Sequence, residues 1–205
     1  MKPITDGILM VAANETYALE EMGVLDCEDR WDNPIESYLP DDVEFFSGAS
    51  RMCFKIPSLE GWVLKVDFKG QNGYCAREVK FYKEAVKLGF GDYFASTYKV
   101  TELDDGRVVI LQEEVEVDED LVTSEWYDYV SNEYEFDDVD KTWDYVYDME
   151  DVDRLCAVFG DDKRFNELDN FFRDRQINDL HEGNWGVTKD EGKIVLMDFA
   201  GYGVI

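Results

Sequence analysis

The residues of this chain best suited to chemistry lie near its C-terminal end. Asp179-Leu180-His181-Glu182-Gly183-Asn184 is followed by a short apolar run, Ile194-Val195-Leu196-Met197, which leads into Asp198-Phe199-Ala200. An Asp, an Asn five positions on and a second Asp fourteen beyond that are the residue types that metal-assisted phosphoryl transfer needs. Asp179 can orient or deprotonate a nucleophile, while Asn184 and Asp198 can hold Mg²⁺ against nucleotide phosphates. A lone D-x-x-x-x-N recurs by chance. Here it follows an amphipathic helix predicted over Phe165 to Arg175 and precedes a predicted strand that ends on the second Asp, which is the context the motif requires. His181 is placed either to stabilise charge that develops in transfer or to bond across the loop and fix its shape.

A second group of candidates lies earlier. Val63-Leu64-Lys65-Val66 sets a lysine inside an apolar strand, where an ammonium is costly unless paired. Glu78, on the following helix, is the natural anionic neighbour, and such a pair can align the α- and β-phosphates of a nucleotide. Gly48-Ala49-Ser50 falls in a turn between two predicted strands. Backbone N–H groups there can cradle phosphate and the Ser50 hydroxyl can add a donor, although an ordinary hairpin turn explains the same residues.

These groups need elements to position them. Apolar residues at helical spacing predict a helix over Ile8 to Met22, with Gly23 as its stop. A turn-rich connection follows through Asp32-Asn33-Pro34 to Leu39-Pro40-Asp41-Asp42. Val43 to Phe46, Met52 to Ile56 and Trp62 to Phe68 read as strands, Ala76 to Lys87 as an amphipathic helix, and Phe94 to Val100 and Arg107 to Gln112 as a hairpin turning at Asp104-Asp105-Gly106. From Glu113 to Asp153 acids and aromatics interleave, which predicts helices with aromatic faces packed and acidic faces in water. Helices over Asp151 to Phe159 and Lys163 to Arg175 complete this part. The expected organisation is an N-terminal helix and connection (1–42), a small mixed lobe (43–112) and an acidic helical lobe carrying the catalytic loop (113–205).

Composition narrows the function classes. The chain has 205 residues with 45% hydrophobic and 15% aromatic content, which argues against global disorder. A formal net charge of -28 disfavours direct contact with nucleic-acid phosphates or anionic membranes and favours a basic protein as partner or substrate. Cys27, Cys53, Cys75 and Cys156 have no metal-binding spacing, and His181 is the sole histidine, so reduced thiols are expected rather than zinc or a disulfide framework. With no signal pattern and no apolar run of membrane-spanning length, the expected location is cytoplasmic.

Taken together these residues resemble the protein-kinase-like superfamily. Asn178-Asp179-Leu180-His181-Glu182-Gly183-Asn184 is similar to the G-D-L-H-x-G-N loop of the antibiotic- and choline-phosphotransferase branch, and Arg77-Glu78-Val79-Lys80-Phe81-Tyr82 to that branch's first helix. The compact layout, single loop glycine and Lys65 strand also resemble the early serine/threonine kinases of bacteriophages. The resemblance covers roughly Val43 to Tyr202. It implies an α+β fold with a small antiparallel-sheet N-lobe, one helix in that lobe, and a reduced, mainly helical C-lobe ending just after the Asp198-Phe199 strand. It implies ATP and Mg²⁺ as cofactors, with Lys65 on the α- and β-phosphates, Glu78 holding Lys65, Asp179 as base, and Asn184 and Asp198 as metal ligands. Gln112, Glu113 and Glu114 would form the hinge beside adenine and offer it backbone donors and acceptors.

The chain departs from the family in three places. Ile177-Asn178 replaces His-Arg before the base, Ala200 replaces the glycine after Asp-Phe, and no activation segment or substrate-docking helices follow. Substrate would then be held by the acidic insert and N-terminal helix, or a partner would supply the surface, or there would be no substrate. Two function classes follow. One is an ATP- and Mg²⁺-dependent phosphotransferase acting on a hydroxyl of a basic protein. The other is a catalytically silent acidic module that binds a basic protein surface.

Overall fold

The computed structural model describes residues 1–28, 35–71, 73–134, 142, 146, 151–159, 165–177 and 180–200. The chain forms two compact units, Met1–Glu114 and Val115–Ile205.

The first unit is an α+β layer structure around a five-stranded antiparallel sheet. Its elements are α1 (Asp6–Glu21), β1 (Glu44–Ser47), β2 (Arg51–Lys55), β3 (Trp62–Asp67), α2 (Tyr74–Leu88), β4 (Thr97–Glu102) and β5 (Val108–Glu113), with strand order β1-β2-β3-β5-β4. Strand alternation divides the sheet into two unlike faces. The cross-strand partners Met52 and Val66, Phe54 and Leu64, Leu64 and Leu111, and Val66 and Val109 share one face. That face carries the main core, where they pack with Ala12 and Leu19 of α1 and with Val24, Leu25 and Ile35 beyond it. The N-terminal segment, expected as a part of its own, is therefore the cover of this sheet and belongs to the same unit. Its helix is capped by Thr5, whose hydroxyl accepts from the Ile8 N–H at 3.3 Å. It ends where Gly23 takes up the left-handed conformation with φ 72°.

The opposite face meets α2 through a smaller apolar cluster of Cys75, Val79, Val108 and Ile110. The register puts Arg51 opposite Asp67, and Cys53 opposite Lys65. The charged residues of the two strands therefore gather on the α2 side. The β4–β5 turn closes as the sequence predicts, with the Gly106 N–H donating to the Leu103 carbonyl at 2.9 Å and Gly106 at φ 86°.

The second unit holds β6 (Val115–Glu116), α3 (Glu119–Tyr134), α4 (Asp151–Phe159), α5 (Phe165–Arg175), β7 (Trp185–Thr188) and β8 (Ile194–Leu196). Its antiparallel sheet has the order β6-β7-β8, and α3 packs on α4. Gly186 is required where β6 crosses β7, because a Cβ there would run into the Val115 side chain. The acidic stretch 135–141 lies outside the described residues, as do most of the positions up to 150. Among the described residues, no helix is long and apolar enough to cross a membrane, and Cys27, Cys53 and Cys75 form no disulfide.

Candidate active site

In the first unit, β3 carries Lys65 with its side chain on the α2 side of the sheet and 8% exposed. Glu78, fully buried on α2, lies with a carboxylate oxygen 2.7 Å from the guanidinium of Arg51. The expectation named Lys65 alone as the cation held by Glu78, and sequence reasoning overlooked Arg51. Its signal was the same as that of Lys65, a cation bordering an apolar strand, but only the β2–β3 register shows that both residues share a face.

Asp67, also fully buried, ties the start of α2 to the sheet. Its carboxylate accepts from the N–H groups of Gly73 at 2.8 Å, Tyr74 at 3.1 Å and Cys75 at 3.0 Å. These are among the N–H groups that a helix start leaves without an intrahelical acceptor, so Asp67 caps a helix whose own capping residue is Gly73. Arg107 donates to the Asp67 carbonyl at 3.0 Å and pairs with Asp105 at 2.7 Å. Burial, and then the carboxylate of Asp67, push the Cys75 thiol well above its ordinary range.

The β1–β2 turn bonds as a hairpin. The Gly48 N–H donates to the Arg51 carbonyl at 3.2 Å, and the Ser50 carbonyl accepts from Phe68 at 3.0 Å. A Cβ on Gly48 would meet nothing within 4 Å, so protein packing does not demand glycine there.

The hinge expectation needs correction for two donors. The N–H of Glu113 donates to the Ser96 carbonyl at 2.8 Å, and that of Glu114 to the Gly61 carbonyl at 3.0 Å. Both are used inside the unit and are not left for adenine. Their side chains are engaged as well: Glu113 accepts from the Ser96 N–H at 3.2 Å and Glu114 pairs with Lys55 at 3.1 Å. Gln112 donates to the Thr97 hydroxyl at 3.0 Å from a buried position.

In the second unit, α5 ends with Gln176 at φ 56°, the one non-glycine residue with positive φ among those described. The Ile177 N–H reaches back to the Phe172 carbonyl at 3.0 Å. This turn starts the loop in which Asn178 and Asp179 lie outside the described residues. Leu180 is buried, and its carbonyl accepts from the Trp185 indole at 3.2 Å and from Arg154 at 3.3 Å. His181 makes a bond across the loop: its Nδ1 accepts from the Gly183 N–H at 3.1 Å. Asn184 is buried, and its carbonyl accepts from the N–H of Met197 at 2.9 Å and of Asp198 at 3.4 Å. The strand pair β7–β8 thus brings the backbones of Asn184 and Asp198 together, although fourteen positions separate them in sequence.

Among the described residues, no group of three or more His, Cys, Asp or Glu side chains is arranged to hold a metal ion. Asn184 and Asp198 supply an amide and a carboxylate oxygen. That set suits Mg²⁺, which takes one or two carboxylate-type protein ligands and completes its shell with phosphate and water oxygens.

No family model, curated protein or solved structure matches this chain.

Proposed function

We propose that this chain is a protein-kinase-like phosphotransferase that uses Mg·ATP and acts on a hydroxyl of a basic protein. The reading rests on one observation above the others. The Asn184 carbonyl bonds the backbone of Asp198, so the two residues expected to ligate the metal are neighbours in space. The buried Lys65 beside the α2 helix that carries Glu78 supports it from the first unit.

In this reading Lys65 binds the α- and β-phosphates, and Asn184 and Asp198 hold Mg²⁺, which when bound offsets phosphate charge. Asp179 orients the acceptor hydroxyl and takes its proton as the new O–P bond forms and the bond from the γ-phosphorus to the bridging oxygen of ADP breaks. His181, with Nδ1 engaged by Gly183, shapes the loop. The net charge of -28 favours a basic substrate, and in this reading the chain works in the cytoplasm.

The test is calorimetric titration of ATP with and without Mg²⁺ on wild type and Asp198→Ala, paired with γ-labelled ATP transfer by wild type and Asp179→Ala. Metal-dependent binding lost in Asp198→Ala and transfer lost in Asp179→Ala support the proposal. No binding at millimolar nucleotide overturns it. The same charge would then favour the second reading, a silent acidic module on a basic protein surface. That reading requires Asp179→Ala to leave function intact and charge reversal around Glu133 to Asp140 to abolish it.

A further inference from the structure

The loop from Ile177 to Asn184 contains no arginine or lysine, yet a guanidinium is fixed against it. Arg154, on α4, donates from Nη1 to the Leu180 carbonyl at 3.3 Å. Leu180 follows Asp179 in sequence, and the bond acts on the Leu180–His181 peptide, one residue past the expected base.

Arg154 is itself held in place. Its guanidinium lies over the Trp126 ring of α3 at 4.9 Å from the ring centre, and Trp126 is 2% exposed. The electron-rich face of a desolvated indole attracts the cation and favours one rotamer of the long side chain. The same helix sends Phe159 against Trp185 at 5.5 Å, and Trp185 donates to that same Leu180 carbonyl at 3.2 Å. One carbonyl oxygen therefore receives two donors, one from α4 and one from β7. A planar guanidinium stacked on an aromatic face and aimed at an acceptor is arginine-specific geometry that a point charge does not reproduce in full. A solvent-facing helix arginine would need neither the stack nor the bond.

We infer that Arg154 is a positioning residue of the catalytic loop: by holding the Leu180 carbonyl, it fixes the Leu180–His181 peptide of the loop that carries the expected base. The inference rests on the proposed phosphotransferase reading. It adds a loop-supporting cation from outside the motif, in a chain whose motif has Ile177-Asn178 before the base.

The experiment compares wild type, Arg154→Met and Arg154→Lys as full chains, with Mg·γ-labelled ATP as probe. Turnover is read as label transferred to water and to the chain's own hydroxyls, Mg·ATP affinity by calorimetry, and loop order by hydrogen exchange over 180–185. Arg154→Met is expected to lower turnover about tenfold or more, the scale at which a small misplacement of a catalytic group is felt, with Mg·ATP affinity changed less than about threefold. Exchange over 180–185 rises, while exchange along α3 stays as in wild type. Arg154→Lys retains a donor and recovers most of the turnover. Wild-type turnover in Arg154→Met overturns the inference alone. So does a loss of turnover matched by an equal loss of affinity with unchanged loop exchange, or Arg154→Lys no better than Arg154→Met. A wild-type chain that neither binds nor turns over Mg·ATP overturns the proposed function and the role of Arg154 with it.

Discussion

In residues 1–114 buried charged side chains fasten helix to sheet, whereas in the C-terminal unit backbone carbonyls take most of the bonds that shape a single loop. Arg51, Asp67, Glu78 and Arg107 are each 5% exposed or less: Arg51 and Glu78 join β2 to α2, Asp67 joins β3 to α2, and Arg107 holds the Asp67 carbonyl. Around the loop at 180–184, by contrast, the Leu180 and Asn184 carbonyls accept four bonds in all from Arg154, Trp185, Met197 and Asp198. The first arrangement fails thermodynamically when a partner is removed, because a buried charge is left behind. The second should fail geometrically: the fold survives, but the groups proposed to carry the chemistry move. Variants in the two units should therefore differ in kind.

The largest expected effect is on chemistry. Asp198→Ala should lower phosphoryl transfer by a factor on the order of 100 or more, the range seen when one electrostatic contact to the transition state is removed. Its urea midpoint should stay close to wild type. A parallel fall in both would place Asp198 with the structural carboxylates. Next comes Arg51→Met, which removes the guanidinium 2.7 Å from the buried Glu78 carboxylate and should cost about 3–5 kcal/mol of stability, as breaking a buried pair does. Urea unfolding measures this directly, and a loss under 1 kcal/mol would show that the pair is well solvated and the contrast drawn too sharply. Gly186→Ala should cost about 1–3 kcal/mol, since the added methyl collides with Val115 and overpacking in a tight site has that scale. Gly48→Ala is its counterpart, with open space around the new methyl. Stability should hold within about 0.5 kcal/mol, so any fall in Mg·ATP affinity would mark the turn as approaching the nucleotide.

Much of the first unit was legible because its strands are short β-rich runs bounded by turn residues. The six predicted elements from Val43 to Gln112 fall within a few residues of β1 to β5 and α2. Register was not legible. A one-residue change in pairing would have put Arg51 and Lys65 on different faces, and no local signal fixes that choice. The covering role of α1 was hidden for a similar reason: helical spacing shows that a face is apolar but not what it meets. At the candidate site the motif residues were readable by type and spacing, but Arg154 was not. Its partners Trp126 and Leu180 lie on separate segments, and an arginine among acidic helix residues reads as a solvated surface cation. Likewise nothing in the types of Glu113 and Glu114 announces that Ser96 and Gly61 consume their N–H groups.

The smallest expected effect comes from alkaline pH and again falls on the first unit. Burial raises the Tyr82 phenol above its ordinary value of 10.0, and burial followed by Asp67 raises the Cys75 thiol above its ordinary 9.0. Both groups are neutral when protonated, so in the folded state they keep a proton that the unfolded chain gives up. Above the ordinary thiol value the unfolded state binds fewer protons, and stability must fall as pH rises. At neutral pH both states hold the proton and nothing is lost. Urea midpoints measured from pH 8 to 10.5 should therefore decline, first as the thiol range is entered and more steeply through the phenol range. Tyr82→Phe keeps the ring that meets Tyr98 edge-on at 5.9 Å but removes the proton. It should match wild type at pH 8 and exceed it at pH 10.5. Equal slopes for the two proteins would mean that Tyr82 ionises freely in the folded chain, and that the α2 side of the sheet admits water more readily than its buried charges imply.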